Sequence, residues 1–264
     1  MSRPKKRFSQ NFLVDHKIAE RIVGLLDLSP DDAVFEIGSG RGVLTGLIAE
    51  SGAKLYSFEI DTDLVYELES KFKDNPNVNI ANFDFLIVEP YEGRHAGIKL
   101  IGNIPYDITS PIVDWITRHD KFIKRAVITA QKELGDRISS GPGSKNWAPI
   151  SIFAQCFFNI RSMFTIPPGA FYPKPKVHSA TLLFEPRDPY IIEDWDFFEQ
   201  VVRQSFKNRR KLLANNLAGF KDLEKSALEK IFQTAGLPQL SRAEQVTIDQ
   251  FIEIARLIKA SVLS

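Results

Sequence analysis

Ala33-Val34-Phe35-Glu36-Ile37-Gly38-Ser39-Gly40-Arg41-Gly42 opens as an apolar run, breaks on three alternating glycines, and gives way to the helical pattern Val43 to Glu50. An apolar strand, a tight turn and a helix in that order form the first unit of an α/β sheet that takes a nucleotide-like ligand at its strand ends. Glycines there let the backbone turn sharply and approach the ligand with no side chain in the way. The dinucleotide fingerprint would need its third glycine at position 43, which is Val43. The spacing G-x-G-x-G behind an acid suits a nucleoside that carries no pyrophosphate.

Outward from this unit the same alternation continues. Upstream, Asp15 is placed to cap a helix with Ile18, Ile22, Leu25 and Leu26 on one side. Downstream come strand candidates at 54–58, 78–81, 99–102 and 125–130, with a helix over 62–72. The pattern predicts a parallel sheet covered on both faces. Two more strands are expected at 151–160 and 177–184, bracketing the loop Pro167 to Pro173. Beyond Asp194 only helical periodicity remains, over 196–207, 209–218, 223–235 and 247–260. Arg187-Asp188-Pro189 reads as a linker, so two domains are expected, 1–189 and 190–264.

Bulk composition narrows the class. A hydrophobic share of 44% permits a substantial core without covalent staples. The single cysteine, Cys156, has no partner for an internal disulfide and is expected in the core beside Phe153, Phe157 and Phe158. No apolar stretch follows the basic start that would serve as a signal peptide, and no window reaches the run of about 18 apolar residues a spanning helix needs. A cytoplasmic protein without a membrane partner is expected. His16, His95, His119 and His178 lack metal-ligand spacing, so no metal is expected.

Three strand ends carry the chemistry. Glu59 closes the second strand, where a carboxylate can accept both hydroxyls of a ribose. Asp84 follows the third strand and can accept from an adenine amino group. Asn103-Ile104-Pro105-Tyr106 follows the fourth, which brings it beside the glycine loop. An adenine amine is a poor nucleophile because its lone pair is delocalised into the ring. The Asn103 side-chain oxygen, with the Ile104 or Pro105 carbonyl, can accept its two hydrogens and localise that pair toward a methyl sulfonium. Pro105 stiffens the turn, and Tyr106 offers a ring for a flipped base to stack on.

These segments together resemble the ribosomal RNA adenine dimethyltransferase family over nearly the whole chain. Ser9-Gln10-Asn11-Phe12-Leu13 is similar to the family's N-terminal Q-N-F-L segment, which closes over the cofactor. The resemblance implies an α/β, Rossmann-like S-adenosylmethionine-dependent methyltransferase sheet with a small all-helical C-terminal domain. It implies Asn11, Leu13, Gly38, Gly40, Glu59, Asp84 and Asn103 around S-adenosyl-L-methionine. Phe171-Tyr172-Pro173-Lys174-Pro175-Lys176-Val177-His178-Ser179 is similar to the family's F-x-P-x-P-K-V-x-S loop, which makes Phe171 a second aromatic wall opposite Tyr106. The catalytic set so implied is Asn103, Pro105, Tyr106 and Phe171.

Within the family, Gln131-Lys132-Glu133, Gly141-Pro142-Gly143-Ser144-Lys145 and the helical tail are most similar to the bacterial small-subunit branch. That implies a monomer dimethylating two adjacent adenines near the 3′ end of 16S rRNA, within the small ribosomal subunit or its precursor, with a part in subunit biogenesis. Alternatives are a large-subunit resistance methylase sharing the same pocket, and an assembly factor acting mainly by binding. Ser39, where many members carry proline, and Trp147-Ala148-Pro149 depart from the family pattern. The net charge of +1 by itself points to no partner, but basic residues cluster locally. They are Arg3, Lys5, Lys6 and Arg7; Lys121, Lys124 and Arg125; Lys174 and Lys176; and Arg203, Lys207, Arg209, Arg210 and Lys211. Such groups at several places suit the phosphates of a large structured RNA.

Overall fold

Residues 10–90 and 97–262 are described by the computed structural model of the chain. Seven strands form its main sheet in the order β4-β3-β2-β5-β6-β9-β7. These are β2 (Ala33–Ile37), β3 (Lys54–Glu59), β4 (Val78–Asn82), β5 (Ile98–Asn103), β6 (Ile123–Gln131), β7 (Phe158–Ile166) and β9 (Ser179–Pro186). The first five run parallel, as the strand–helix alternation demands. Inner strands β5 and β6 are almost continuously buried, as strands covered on both faces must be. The parallel sheet expected from the first half of the chain is extended by two later strands, since β9 pairs antiparallel with both β6 and β7.

Helices α1 (His16–Gly24), α2 (Val43–Glu50), α3 (Thr62–Phe72), α4 (Thr109–Arg118) and α5 (Lys132–Ile138) connect the strands. Asp15 caps α1 by accepting from the Ile18 amide at 3.1 Å, as its position before the apolar stripe implies. Asp61 caps α3 in the same way through Asp63. A separate two-stranded ribbon pairs β1 (Phe12–Leu13) antiparallel with β8 (Phe171–Tyr172).

Two compact units emerge. The sheet unit ends at Ser139 and resumes over Phe158–Arg187, while the helical unit takes Ser140–Phe157 together with the chain from Asp188 onward. The split differs from the sequence boundary near 190 because residues 140–157 supply core to the helical unit. Its apolar cluster contains Trp147, Ile152, Phe153 and Cys156 along with Phe198, Phe232 and Phe251. The indole N–H of Trp147 donates to the Val246 carbonyl at 2.9 Å, so this ring is both buried and satisfied. Here too the strand expected at 151–160 is corrected: Pro149–Gln155 is helix α6, and the strand begins only at Phe158. Pro149 in the first turn marks that helix start, since its missing N–H costs nothing there.

The other helices of this unit are α7 (Trp195–Ser205), α8 (Leu213–Leu217), α9 (Lys225–Thr234) and α10 (Ile248–Val262). The expected helix at 209–218 shrinks to α8 because Asn216 Nδ2 donates to the Ser205 and Asn208 carbonyls, holding the intervening chain in turns. None of the described helices is long and apolar enough to cross a membrane.

One buried ion pair fixes the base of the sheet. Lys99 on β5 reaches Asp32 at 2.7 Å, both side chains being 6% exposed, and it also donates to the Asp27 carbonyl. Burial opposes ionisation of Asp32, yet Lys99 and the Ser29 amide and hydroxyl hold its carboxyl well below the usual carboxylate range. A carboxyl held low contributes stability that is complete above the ordinary carboxylate pKa and is lost as pH falls below it. Lys99→Met should therefore cost about 3–5 kcal/mol at neutral pH in a urea titration, with the deficit shrinking at acid pH once Asp32 takes a proton. A deficit that stays constant with pH would contradict this account.

Candidate active site

The carboxyl ends of β2, β3 and β5 meet at a cavity of about 240 Å³, closed on one side by Asn11–Leu13 and on another by Phe171. Among its lining residues are Gly38, Gly40, Glu59, Asp84, Asn103, Pro105 and Tyr106. Every catalytic and cofactor residue expected from the sequence thus lies on this one wall system.

The glycine loop has physical reasons at each position. Gly38, Gly40 and Gly42 all have positive φ, between +55° and +73°. A Cβ on Gly42 would come within 2.6 Å of Leu68 Cδ2, and one on Gly40 within 3.0 Å of the Phe12 ring. At Gly38, which lines the cavity, a Cβ would meet no atom within 4 Å apart from its chain neighbours. The Gly40 amide donates to Glu59 Oε2 at 2.9 Å, and the Asp61 amide donates to Oε1 at 2.9 Å. Burial pushes the Glu59 carboxyl above the usual range, with the neighbouring Asp61 charge adding to the effect. Each carboxylate oxygen keeps a lone pair, which suits a pair of ribose hydroxyls donating into a dry site. Asp84 caps the turn after β4 through the Leu86 amide at 3.0 Å and lines the same cavity.

Beneath the loop lies a second carboxyl that the sequence reading left without a role. Glu36 is fully buried, and its Oε2 accepts from Thr45 Oγ1 at 2.8 Å and from Ser57 Oγ at 2.7 Å. Ser57 is in turn hydrogen-bonded to Ser39 of the glycine loop. Ser39 is therefore the loop's anchor, through Ser57, to a buried acid. Desolvation, with the Glu59 charge adding, pushes Glu36 up to about 7 against the two hydroxyl donors. Only the acid at position 36 was visible beforehand. Ser57 gave no signal, since it meets Glu36 through strand pairing.

At the end of β5, Asn103 Nδ2 donates to the Asn11 carbonyl at 3.0 Å. A carbonyl can only accept, so the amide's orientation is set and Oδ1 is left as the acceptor for a ligand. The Pro105 carbonyl closes its own turn, accepting from the Ile108 amide at 3.2 Å and from Thr109 Oγ1 at 3.5 Å. Of the two carbonyls considered for the second amine hydrogen, that of Ile104 is thereby favoured. The Tyr106 hydroxyl is hydrogen-bonded to buried Ser179 at 2.9 Å, which fixes the ring's tilt from the far end of the quoted Phe171–Ser179 stretch.

The basic clusters divide. Arg125 is committed to Glu185 at 2.8 Å and to the Leu25 carbonyl, and Lys124 lies 3.5 Å from Asp32. Arg203 pairs with Glu199. Lys174 and Lys176 are exposed beside Phe171, and Lys207, Arg209, Arg210 and Lys211 are exposed on the helical unit. Arg209 also donates to the Lys145 carbonyl, which brings the 141–145 loop against that basic turn. Arg3, Lys5, Lys6, Arg7, Ser9 and His95 lie outside the described residues. Among the described residues no cluster of three or more His, Cys, Asp or Glu could hold a metal.

A family model described as ribosomal RNA adenine dimethylase matches residues 1–260. Ribosomal RNA small subunit methyltransferase A of Syntrophotalea carbinolica is 41% identical, covering 97% of each chain. The protein of the same name in Geobacter metallireducens is 36% identical over 98% of this chain and 96% of its own length. Among solved structures, the 23S rRNA methyltransferase ErmE superposes with a TM-score of 0.74 at 27% identity, covering 94% of this chain and all of that one. A dimethyladenosine transferase from Plasmodium falciparum superposes at 0.78 with 20% identity, covering 92% and 95% of the two chains, and supports the fold.

The buried Glu36 makes a prediction of its own. With its pKa raised in the folded state, the fold keeps a proton that the unfolded chain gives up from the usual glutamate range upward. Stability is therefore lost as pH rises through that window to about 7. Glu36→Gln should remove a loss of about 3 kcal/mol between pH 5 and 8, read as a flatter plot of unfolding free energy against pH. An unchanged slope would mean that Glu36 ionises normally.

Proposed function

The chain belongs to the ribosomal RNA adenine dimethylase family, its chemistry is S-adenosylmethionine-dependent dimethylation of adenine in small-subunit rRNA, and we propose that its targets are two adjacent adenines near the 3′ end of 16S rRNA. On this reading it acts as a cytoplasmic monomer on the small subunit or its precursor, and contributes to subunit biogenesis. The small-subunit assignment is supported by the names and identities of the relatives that span nearly the whole chain.

S-adenosylmethionine, when bound, supplies a methyl group on a positively charged sulfur. Gly38 and Gly40 would give it close backbone approach, Glu59 would hold the ribose hydroxyls, and Asp84 would accept from the adenine amine. Asn11 and Leu13 would cover it. For the substrate base, Asn103 Oδ1 and the Ile104 carbonyl accept the two amine hydrogens, which localises the nitrogen lone pair. Tyr106 and Phe171 stack on the two faces of the flipped ring, and Pro105 keeps the turn stiff. No strong base is needed, since the alkylated amine loses its extra proton readily. Catalysis rests on positioning.

The observation that supports the catalytic part of this reading is the Asn103–Asn11 hydrogen bond, which orients the amide so that its oxygen is left as an acceptor for the base. Incubation with labelled S-adenosylmethionine and undermethylated small or large subunits, followed by nucleoside mass spectrometry, tests it. Dimethyladenosine from small subunits alone is expected, mapped to neighbouring positions near the 3′ end. Label confined to large-subunit RNA would move the chain to the resistance branch. Binding of subunits with no label would make it an assembly factor. Asn103→Ala should lower transfer by about 10²-fold or more with subunit binding unchanged. Tyr106→Ala and Phe171→Ala should each cost about 1–3 kcal/mol in kcat/KM, and Tyr106→Phe much less.

A further inference from the structure

We propose that Arg41 is a positioning residue that joins the cover over the cofactor cavity to the wall bearing Phe171, so that cofactor occupancy and adenine-pocket closure are energetically coupled. Three observations carry it. First, the segment covering the cavity is bonded to the wall rather than lying loose. Phe12 pairs with Tyr172 and Leu13 with Phe171, and the Val14 amide donates to the Ala170 carbonyl at 2.8 Å. Second, the same segment sets the orientation of Asn103, through the Asn11 carbonyl. Third, the Arg41 guanidinium rises from the opposite, glycine-loop side and sits 4.8 Å from the Phe12 ring centroid and 5.6 Å from that of Tyr172. Both distances lie within cation–π range, and the two rings belong to one rung of the ribbon.

The guanidinium thus holds the ribbon down on the loop where Gly40 already packs against Phe12. For the cofactor to leave past Asn11–Leu13, that segment must lift. Lifting it breaks the Arg41 contact, withdraws the acceptor from Asn103 Nδ2, and either drags Phe171 along or breaks the ribbon pairing. A ligand that stabilises the closed arrangement from the cofactor side therefore favours it for the base, and the converse holds by linkage. Two methyl groups on one adenine require two cofactor molecules. Each exchange then loosens the grip on the base, so the monomethylated adenine is freed to leave its pocket between the two transfers.

This inference rests on the proposed function, and the test separates the two. The affinity of S-adenosylhomocysteine would be measured for the protein alone and for the protein saturated with undermethylated small subunits, at one salt concentration. Wild-type protein should bind at least about 5-fold tighter in the presence of subunits. Arg41→Met should bring that ratio close to one. Tyr172→Ala, at a side chain 55% exposed and so of little consequence for folding, should do the same. The double variant should be no worse than either single one, as expected of a shared contact. A wild-type ratio of one, or an undiminished ratio in both variants, would overturn the coupling even while dimethyladenosine formation upheld the proposed function. Quenched time courses should also show monomethyladenosine accumulating before dimethyladenosine in wild-type protein. Dimethyladenosine appearing with no monomethyl intermediate would overturn the exchange argument.

Discussion

A single hydrogen bond, from the Gly40 amide to the Glu59 carboxylate, joins the ends of two neighbouring strands and sets the geometry on which the cavity depends. Glycine at position 40 satisfies the positive φ and lets the amide point at the acid. The acid tolerates its buried position because backbone donors surround it. A desolvated carboxylate with remaining lone pairs is a strong attractor for hydroxyl donors, and the sheet places it beside an open glycine. One side of the ligand site is thereby specified before any substrate contact is considered.

The loop also stands on a concealed foundation. Glu36, Ser57, Thr45 and Ser39 form a hydrogen-bonded chain between the sheet, α2 and the loop. Such a network is costly unless satisfied, and Glu36 Oε1 has no partner in it. Burial raises the network's carboxyl pKa, and the two hydroxyl donors only partly offset it. Fixing the loop this way gives Ser39 a polar tether to the sheet.

Much of this was legible in the sequence where the signal is local. The glycine spacing, the acid closing the next strand, the Asn103–Tyr106 turn and the Asp15 cap each follow from a few adjacent residues and their periodicity. What escaped is what depends on distant chain. Asn103 and Asn11 are 92 positions apart, and Tyr106 and Ser179 are 73 apart. Arg41 reads as the variable residue of a loop until the β1–β8 ribbon brings two rings to it. The misread segment near 151 failed for another reason. Ser151, Ile152, Phe153 and Ala154 are all buried, so the run carries no polar face to reveal helical period, and only Pro149 hinted at the helix. The direction in which the later strands join the sheet could not be read, since β9 is an apolar strand in either direction.

The helical unit is assembled from two stretches of chain separated by β7, β8 and β9. During synthesis, Trp147, Ile152 and Phe153 leave the ribosome well before Phe198, Phe232 and Phe251, which will bury them. The interval is filled by the strands that complete the sheet. The sheet unit can therefore mature while a ready-made half-core waits exposed, and the later helices condense onto it as they arrive. A nascent chain stalled in that interval would present a sticky apolar surface to the cell's chaperones, although its catalytic strands were already paired.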